Sequence, residues 1–217
     1  MDVHSFFSPA DAAEIEKAVK SAELTTSGEI VPYAVNQSDH YHEAMWKAST
    51  LGALAGALGA AFVHEVASVW GYGWLWLALP TALGAAVGYV LATLIVPLRR
   101  WLVPVEERER MVQLRAAAAF LEQEVFKTRD RTGILVFVSI FERRVVILAD
   151  AGITALVGQA EWNAIVDEIV VGIRSGAPGT ALARAIGRCG ELLRDRRVTR
   201  RADDTDELAD KLQLRTE

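Results

Sequence analysis

The chain has 217 residues, enough for one domain or two, with a formal charge of −5 and 52% hydrophobic residues. That balance, with no basic stripe interleaved with aromatics, excludes nucleic acid as the expected partner. The single cysteine, Cys189, excludes an internal disulfide and fits a reducing compartment.

The opening "MDVHSFFSPADAAEIEK" starts acidic and runs directly into a helix, so no secretory signal is expected there. Ser8 suits the cap, Pro9 the first helical position and Asp11 the return contact of a capping box. Ala12, Ile15, Val19 and Ala22 then mark one helical face. "TTSG" ends the helix, and Glu29 to Val35 reads as a strand, bent or at an edge because of Pro32. Asn36 to Glu43 reads as a polar loop. Within it "DHYHE" places His40 and His42 between carboxylates, types that suit zinc but also a solvated loop.

The mean hydropathy of +0.21 is concentrated in the next segment. No Asp, Glu, Lys or Arg occurs from Ala48 to Val63 or from Val66 to Leu98, and only His64 and Glu65 separate the two runs. A membrane span takes ~20 apolar residues, so about 46–98 is expected to be a transmembrane hairpin. Val69 to Trp74 is its expected turn, broken by Gly71 and Gly73, with aromatics suited to the interface. Lys47 precedes the first span, and Arg99, Arg100, Arg108 and Arg110 follow the second. The positive-inside rule then places both flanking segments in the cytoplasm and makes the protein multi-pass. Ala48, Gly52, Gly56 and Ala60 form a small-residue ridge on one span, and Gly84, Gly88 and Ala92 form another on the second. Such ridges let helices approach closely, within the hairpin or in a homo-oligomer.

Past Pro104, Met111, Leu114, Ala118, Leu121 and Val125 recur at three- and four-residue steps, predicting an amphipathic helix over 105–127 with that face buried. Ile134 to Ile140 and Val145 to Ala149 are apolar at nearly every position and read as strands covered on both faces. Phe141 to Arg144 forms the turn between them. Trp162, Ile165, Val166, Ile169 and Ile173 mark a third helix, "SGAPG" a break, and Leu182, Ile186, Cys189 and Leu193 a fourth. The remainder, 198–217, reads as a charged, loose tail.

A single strand before the hairpin has nothing to pair with, so the two flanking parts are expected to form one fold. The predicted architecture is α/β: an α/β/α sandwich with a small mixed sheet, interrupted by a two-helix transmembrane hairpin. Residues 1–45 and 104–197 form the discontinuous α/β domain.

"SGEIVP" after the first helix, "TGILVFVSIFERRVVILADAGI", a helix containing Trp162 and then "LARAIGRCGELL" together resemble the TPM domain family, the TPM-phosphatase-like group. Here the resemblance is to a membrane-inserted bacterial branch. It implies an α/β/α domain, weak acid phosphatase activity as in some members, calcium binding as in others, and a part in membrane-protein maintenance. The expected location is the bacterial inner membrane.

The strand order carries a further expectation. The first two strands should be parallel and the third antiparallel, which gathers Glu29, Asp130 and Asp150 at one end of the sheet. Convergent carboxylates can hold a divalent cation, which can polarise a phosphoryl oxygen. The alternative is that Arg129, Arg131 and water pair these acids. At the other end, Arg143 and Arg144 join Arg99 and Arg100 as candidate contacts with the lipid surface. The alternative there is a solvated turn with Arg143 neutralised by Glu142. No G-x-S-x-G, phosphate-binding loop, dinucleotide fingerprint or H-E-x-x-H supports the corresponding enzymes. The expected function is a membrane-anchored interaction or maintenance factor with a membrane-protein partner. A metal-assisted phosphatase is the alternative.

Overall fold

The computed structural model describes residues 2–67, 73–200 and 207–216. In chain order the elements are α1 (Val3–Phe6), α2 (Pro9–Glu23), β1 (Glu29–Val35), α3 (His42–Ala67), α4 (Trp74–Leu94), α5 (Val96–Leu102) and α6 (Val105–Glu122). A 3₁₀ turn at Val125–Lys127 follows, then β2 (Gly133–Ser139), β3 (Arg144–Ala149), α7 (Ala151–Thr154), α8 (Gln159–Arg174), α9 (Pro178–Asp195) and β4 (Gln213–Arg215). The chain divides into two compact units, Met1–Asp39 with Glu109–Glu217, and His40–Arg108.

The first unit is a mixed four-stranded sheet of order β3-β2-β1-β4. β1 runs parallel to β2, with Glu29 opposite Gly133 and Val35 opposite Ser139. β3 returns antiparallel, with Ile134 opposite Ala149. Alternate residues of a strand point to opposite faces, and both faces here are covered. Ile30, Ala34, Ile134, Val136 and Val138 pack with Ile15 and Val19 of α2, Trp162 and Ile169 of α8, and Leu182 and Ile186 of α9. On the other face Val31, Tyr33, Leu135 and Phe137 pack with Val112, Ala116 and Ala119 of α6 and with Val125. The fold is therefore α/β with helices on both faces of the sheet.

Local chemistry explains the first helix. Asp11 N–H donates to Ser8 Oγ at 3.1 Å, and Ser8 N–H donates back to Asp11 Oδ2 at 2.8 Å, with Pro9 at the first position. The expected face is buried at Ile15, Val19 and Ala22.

Three expectations need correction. The face predicted for α6 is not the buried one. Leu114 and Leu121 are exposed, while Val112, Ala116 and Ala119 face the sheet. Both sides of this helix are apolar, so periodicity could not choose between them. β3 is buried at only two of its six positions, because it is an edge strand. Finally, the tail is not loose from Gln213 to Arg215, where β4 pairs with Tyr33, Ala34 and Val35 of β1. Asn36 extends that edge by donating from its backbone N–H to the Arg215 carbonyl at 3.2 Å and from Nδ2 to Thr216 at 3.2 Å.

In the second unit, α3 and α4 are each long and apolar enough to cross a membrane, over His42–Val66 and Trp74–Leu94. They meet along the predicted ridges. A Cβ on Gly52 would lie 2.1 Å from the Gly84 carbonyl oxygen, one on Gly56 2.1 Å from that of Pro80, and one on Gly88 2.2 Å from that of Ala48. Only glycine permits backbones this close. Trp46 meets Tyr89 edge-on at 5.7 Å, and the Thr93 hydroxyl donates to Met45 Sδ at 3.6 Å. Pro80 lies inside α4. Of the predicted turn, residues 69–72 lie outside the described residues; Gly73 caps α4 and Trp74 begins it. Ile95 adopts an extended backbone between α4 and α5, and Pro97 opens α5.

Candidate functional site

The sheet has two ends, and each carries predicted site residues. At the end where β1 and β2 begin, Glu29, Gly133 and Asp150 fall in one row, since Glu29 pairs with Gly133 and Asp150 N–H donates to the Gly133 carbonyl at 2.9 Å. Glu29 and Asp150 are both buried. Asp130 is outside this row, exposed in the turn before β2.

Asp150 is held tightly. Arg131 Nη2 donates to Oδ1 at 3.0 Å, and Nε lies 2.8 Å from Oδ2 as an ion pair without a hydrogen bond to that oxygen. The Ala151 N–H donates to Oδ1 at 2.7 Å. A charge-assisted hydrogen bond of this kind is among the stronger polar contacts. Arg131 attains the pose with a left-handed backbone, φ 59°, and the Gly152 N–H donates to its carbonyl at 3.0 Å. The sequence named Arg131 as an alternative partner for these acids, and the structure makes that pair. Hydrogen bonds close the surrounding backbone: the Thr132 hydroxyl donates to Ser27 and the Thr26 hydroxyl to Val198, each at 2.6 Å.

At the other end of the sheet lies the turn from β2 to β3. Arg143 is exposed in a left-handed conformation, φ 55°. Arg144 begins β3 and pairs with Glu109. Glu142 does not act as a solvated counterion. It is buried, accepts the Ser38 N–H at 2.8 Å, and is bonded to the Ser139 hydroxyl, which also receives the Ser38 hydroxyl at 3.0 Å. This knot ties the chain leaving β1 to the β2–β3 turn. Nothing in the sequence signalled it, because a glutamate beside two arginines reads as surface. Arg99 and Arg100 lie in the last turn of α5 in the other unit. There, too, the His40 and His42 rings stand 5.6 Å apart. Among the described residues no group of three or more His, Cys, Asp or Glu is placed to hold a metal.

A third feature was not visible beforehand. An open groove of about 620 Å³ runs between α8 and α9. Small residues shape its floor: a Cβ on Gly172 would come within 2.3 Å of the Ala181 Cβ, so the helices close up there. Val171 stands exposed in it, with Asp167 and Glu168 on one wall and Arg184 on the other. Cys189 sits on the buried face of α9, where burial pushes its thiol up to about 12, so it is not a reactive thiolate.

Residues 100–192 match the family model of the TPM domain. The chain is similar in structure to the BA42 protein of the psychrophilic bacterium Bizionia argentinensis, solved by NMR. The TM-score is 0.58 and the sequence identity 17%, over 97% of each chain, a likeness of fold. No curated protein matches the chain. The matched segment runs from the end of α5 through α6, β2, β3 and α8 into α9, and over that span the chain is similar to the TPM domain.

Proposed function

We propose that this protein is a membrane-anchored TPM-domain factor that engages a membrane-protein partner, in the inner membrane of a bacterium and with its α/β unit on the cytoplasmic side. One observation carries the reading: α3 and α4 spend Gly52, Gly56, Gly84 and Gly88 on each other and turn leucines outward, among them Leu54, Leu58, Leu79 and Leu83. In water such a surface is a large exposed apolar patch, and in lipid it needs no cover. Lys47 in the second turn of α3 and Arg99 and Arg100 after α4 favour a cytoplasmic α/β unit. Arg143, Arg99 and Arg100 are the proposed lipid-surface contacts, each worth ~1 kcal/mol beside an anionic leaflet. Arg144 contributes less, because Glu109 already neutralises it.

The groove between α8 and α9 is the proposed partner site, with an apolar floor and charged walls of both signs. The phosphatase alternative would use a cation held by Glu29, Asp130 and Asp150. Arg131 already neutralises Asp150 as an ion pair, so the reading without a cation is preferred. The test is a photo-crosslinker at Val171 of the full-length chain in native membranes. One discrete membrane-protein adduct, lost on Ala181→Arg, supports the reading. No adduct, or one unaffected by Ala181→Arg, removes the groove as the partner site.

A further inference from the structure

We infer that the outer face of α6 is a self-association surface, on which a second copy of this chain packs its own α6 in the opposite direction. Val112, Ala116 and Ala119 commit one side of the helix to the sheet. At 3.6 residues per turn, Met111, Leu114, Ala118 and Leu121 fall on the opposite side. Leu114 is 57% exposed and Leu121 63%. Their steps of three, four and three residues are those of a coiled-coil seam, in which side chains of one helix seat between those of another.

The charges beside the seam decide what covers it. Arg108 and Arg110 flank its start, and Glu122 and Glu124 flank its end. An antiparallel copy with Leu114 opposite Ala118, and Met111 opposite Leu121, brings Arg108 to Glu122 at both ends of the pair, while Glu124, past the helix end, pairs with Lys127 at 2.6 Å. Arg115 comes nearest its own equivalent, but it is already turned aside: it donates to the Tyr33 hydroxyl at 2.8 Å and to both Glu122 oxygens at 3.1 Å. A parallel copy would set arginine ends against each other. A helix built to lie on anionic lipid carries Lys and Arg along its polar flanks, whereas glutamates stand at both ends here.

The seam spans about three helical turns, so it buries less than the ~1,200 Å² of a standard stable interface. Pairing in dilute solution is therefore weak. Two copies anchored in one bilayer meet at a higher effective concentration.

The test uses the full chain, in detergent at high concentration and in vesicles. Met111→Cys and Leu121→Cys chains are prepared separately, mixed and oxidised; the native Cys189 is buried and serves as background. The expected result is a mixed disulfide dimer, with little product from Leu121→Cys alone. Leu114→Glu, at an exposed position, abolishes the mixed product without lowering the melting temperature. Absence of the mixed dimer in both media overturns the proposal. So does self-dimerisation of Leu121→Cys equal to the mixed product, which marks a parallel pair. A Leu121→Cys thiol shielded by lipid and never cross-linked, or cross-linking unchanged by Leu114→Glu, overturns it as well.

Discussion

Replacing Gly52 by alanine adds one methyl group where none fits. That carbon would sit 2.1 Å from the Gly84 carbonyl oxygen and 2.9 Å from the Gly84 carbonyl carbon. Both are backbone atoms, so no side chain can swing away, and ordinary contact needs ~3.5 Å. The helices must part by roughly an ångström, along a seam shared with Gly56 and Gly88. Overpacking of this kind costs ~1–3 kcal/mol. Alanine also favours the helical state over glycine by ~1 kcal/mol, which obscures the loss in a single measurement. Gly59 supplies the reference: it lies in the same helix, and a Cβ there meets nothing within 4 Å. Gly59→Ala takes the helical gain alone, so the two variants are expected to differ by ~1–3 kcal/mol. Reversible denaturation in mixed micelles reads that difference. Gly52→Ala combined with Gly84→Ala should cost less than the sum of the two, because the first already separates the helices. Equal stability of Gly52→Ala and Gly59→Ala would refute the close-packed hairpin.

A cysteine at Gly73 is expected to label with an impermeant reagent from outside the cell, and one at Ser38 only after lysis; the opposite pattern reverses the proposed orientation. Asp150→Asn is expected to cost ~1–3 kcal/mol by breaking a charged hydrogen-bonded contact, and magnesium, manganese or calcium should leave the melting temperature of the unaltered protein unmoved. A metal-dependent rise abolished by Asp150→Ala would restore the cation site. The Cys189 thiol has a folded pKa of about 12, raised by burial above its unfolded value near 9.0. Its contribution is therefore fully present below pH 9 and lost as pH climbs toward 12, by up to ~4 kcal/mol relative to a Cys189→Ala variant. Parallel alkaline unfolding curves for the two proteins would count against that burial. Placing a fluorophore at Arg143 should give headgroup quenching in anionic vesicles and less in neutral ones; equal quenching removes the turn as a lipid contact.

The parts legible in the sequence are those whose signal is local. The Ser8–Asp11 capping box, the apolar runs of β2 and the face of α9 each follow from residues within a turn or two. The ridges of glycine and alanine were legible as close-approach surfaces, and the structure shows them meeting inside the hairpin. What escaped depends on neighbours distant in sequence. α6 offers two apolar sides, and its small alanines, with Val112, are the ones that lie on the sheet. β4 is Gln213-Leu214-Arg215, held through its backbone, so its side chains advertise no strand. The acidic end was legible as a row, from strand direction alone. That Arg131 would neutralise Asp150 depended on a left-handed residue that composition does not mark. Glu142 was misjudged for a related reason: its partner, Ser38, is about a hundred residues away in the chain.

The central claim is that α3 and α4 anchor the chain in a bilayer, and alkaline carbonate extraction of native membranes tests it most directly. The full chain should remain with the membrane pellet, while a version with residues 46–98 replaced by a short polar linker should be released. Complete extraction of the full chain into the soluble fraction, as a monodisperse species without detergent, would contradict the account.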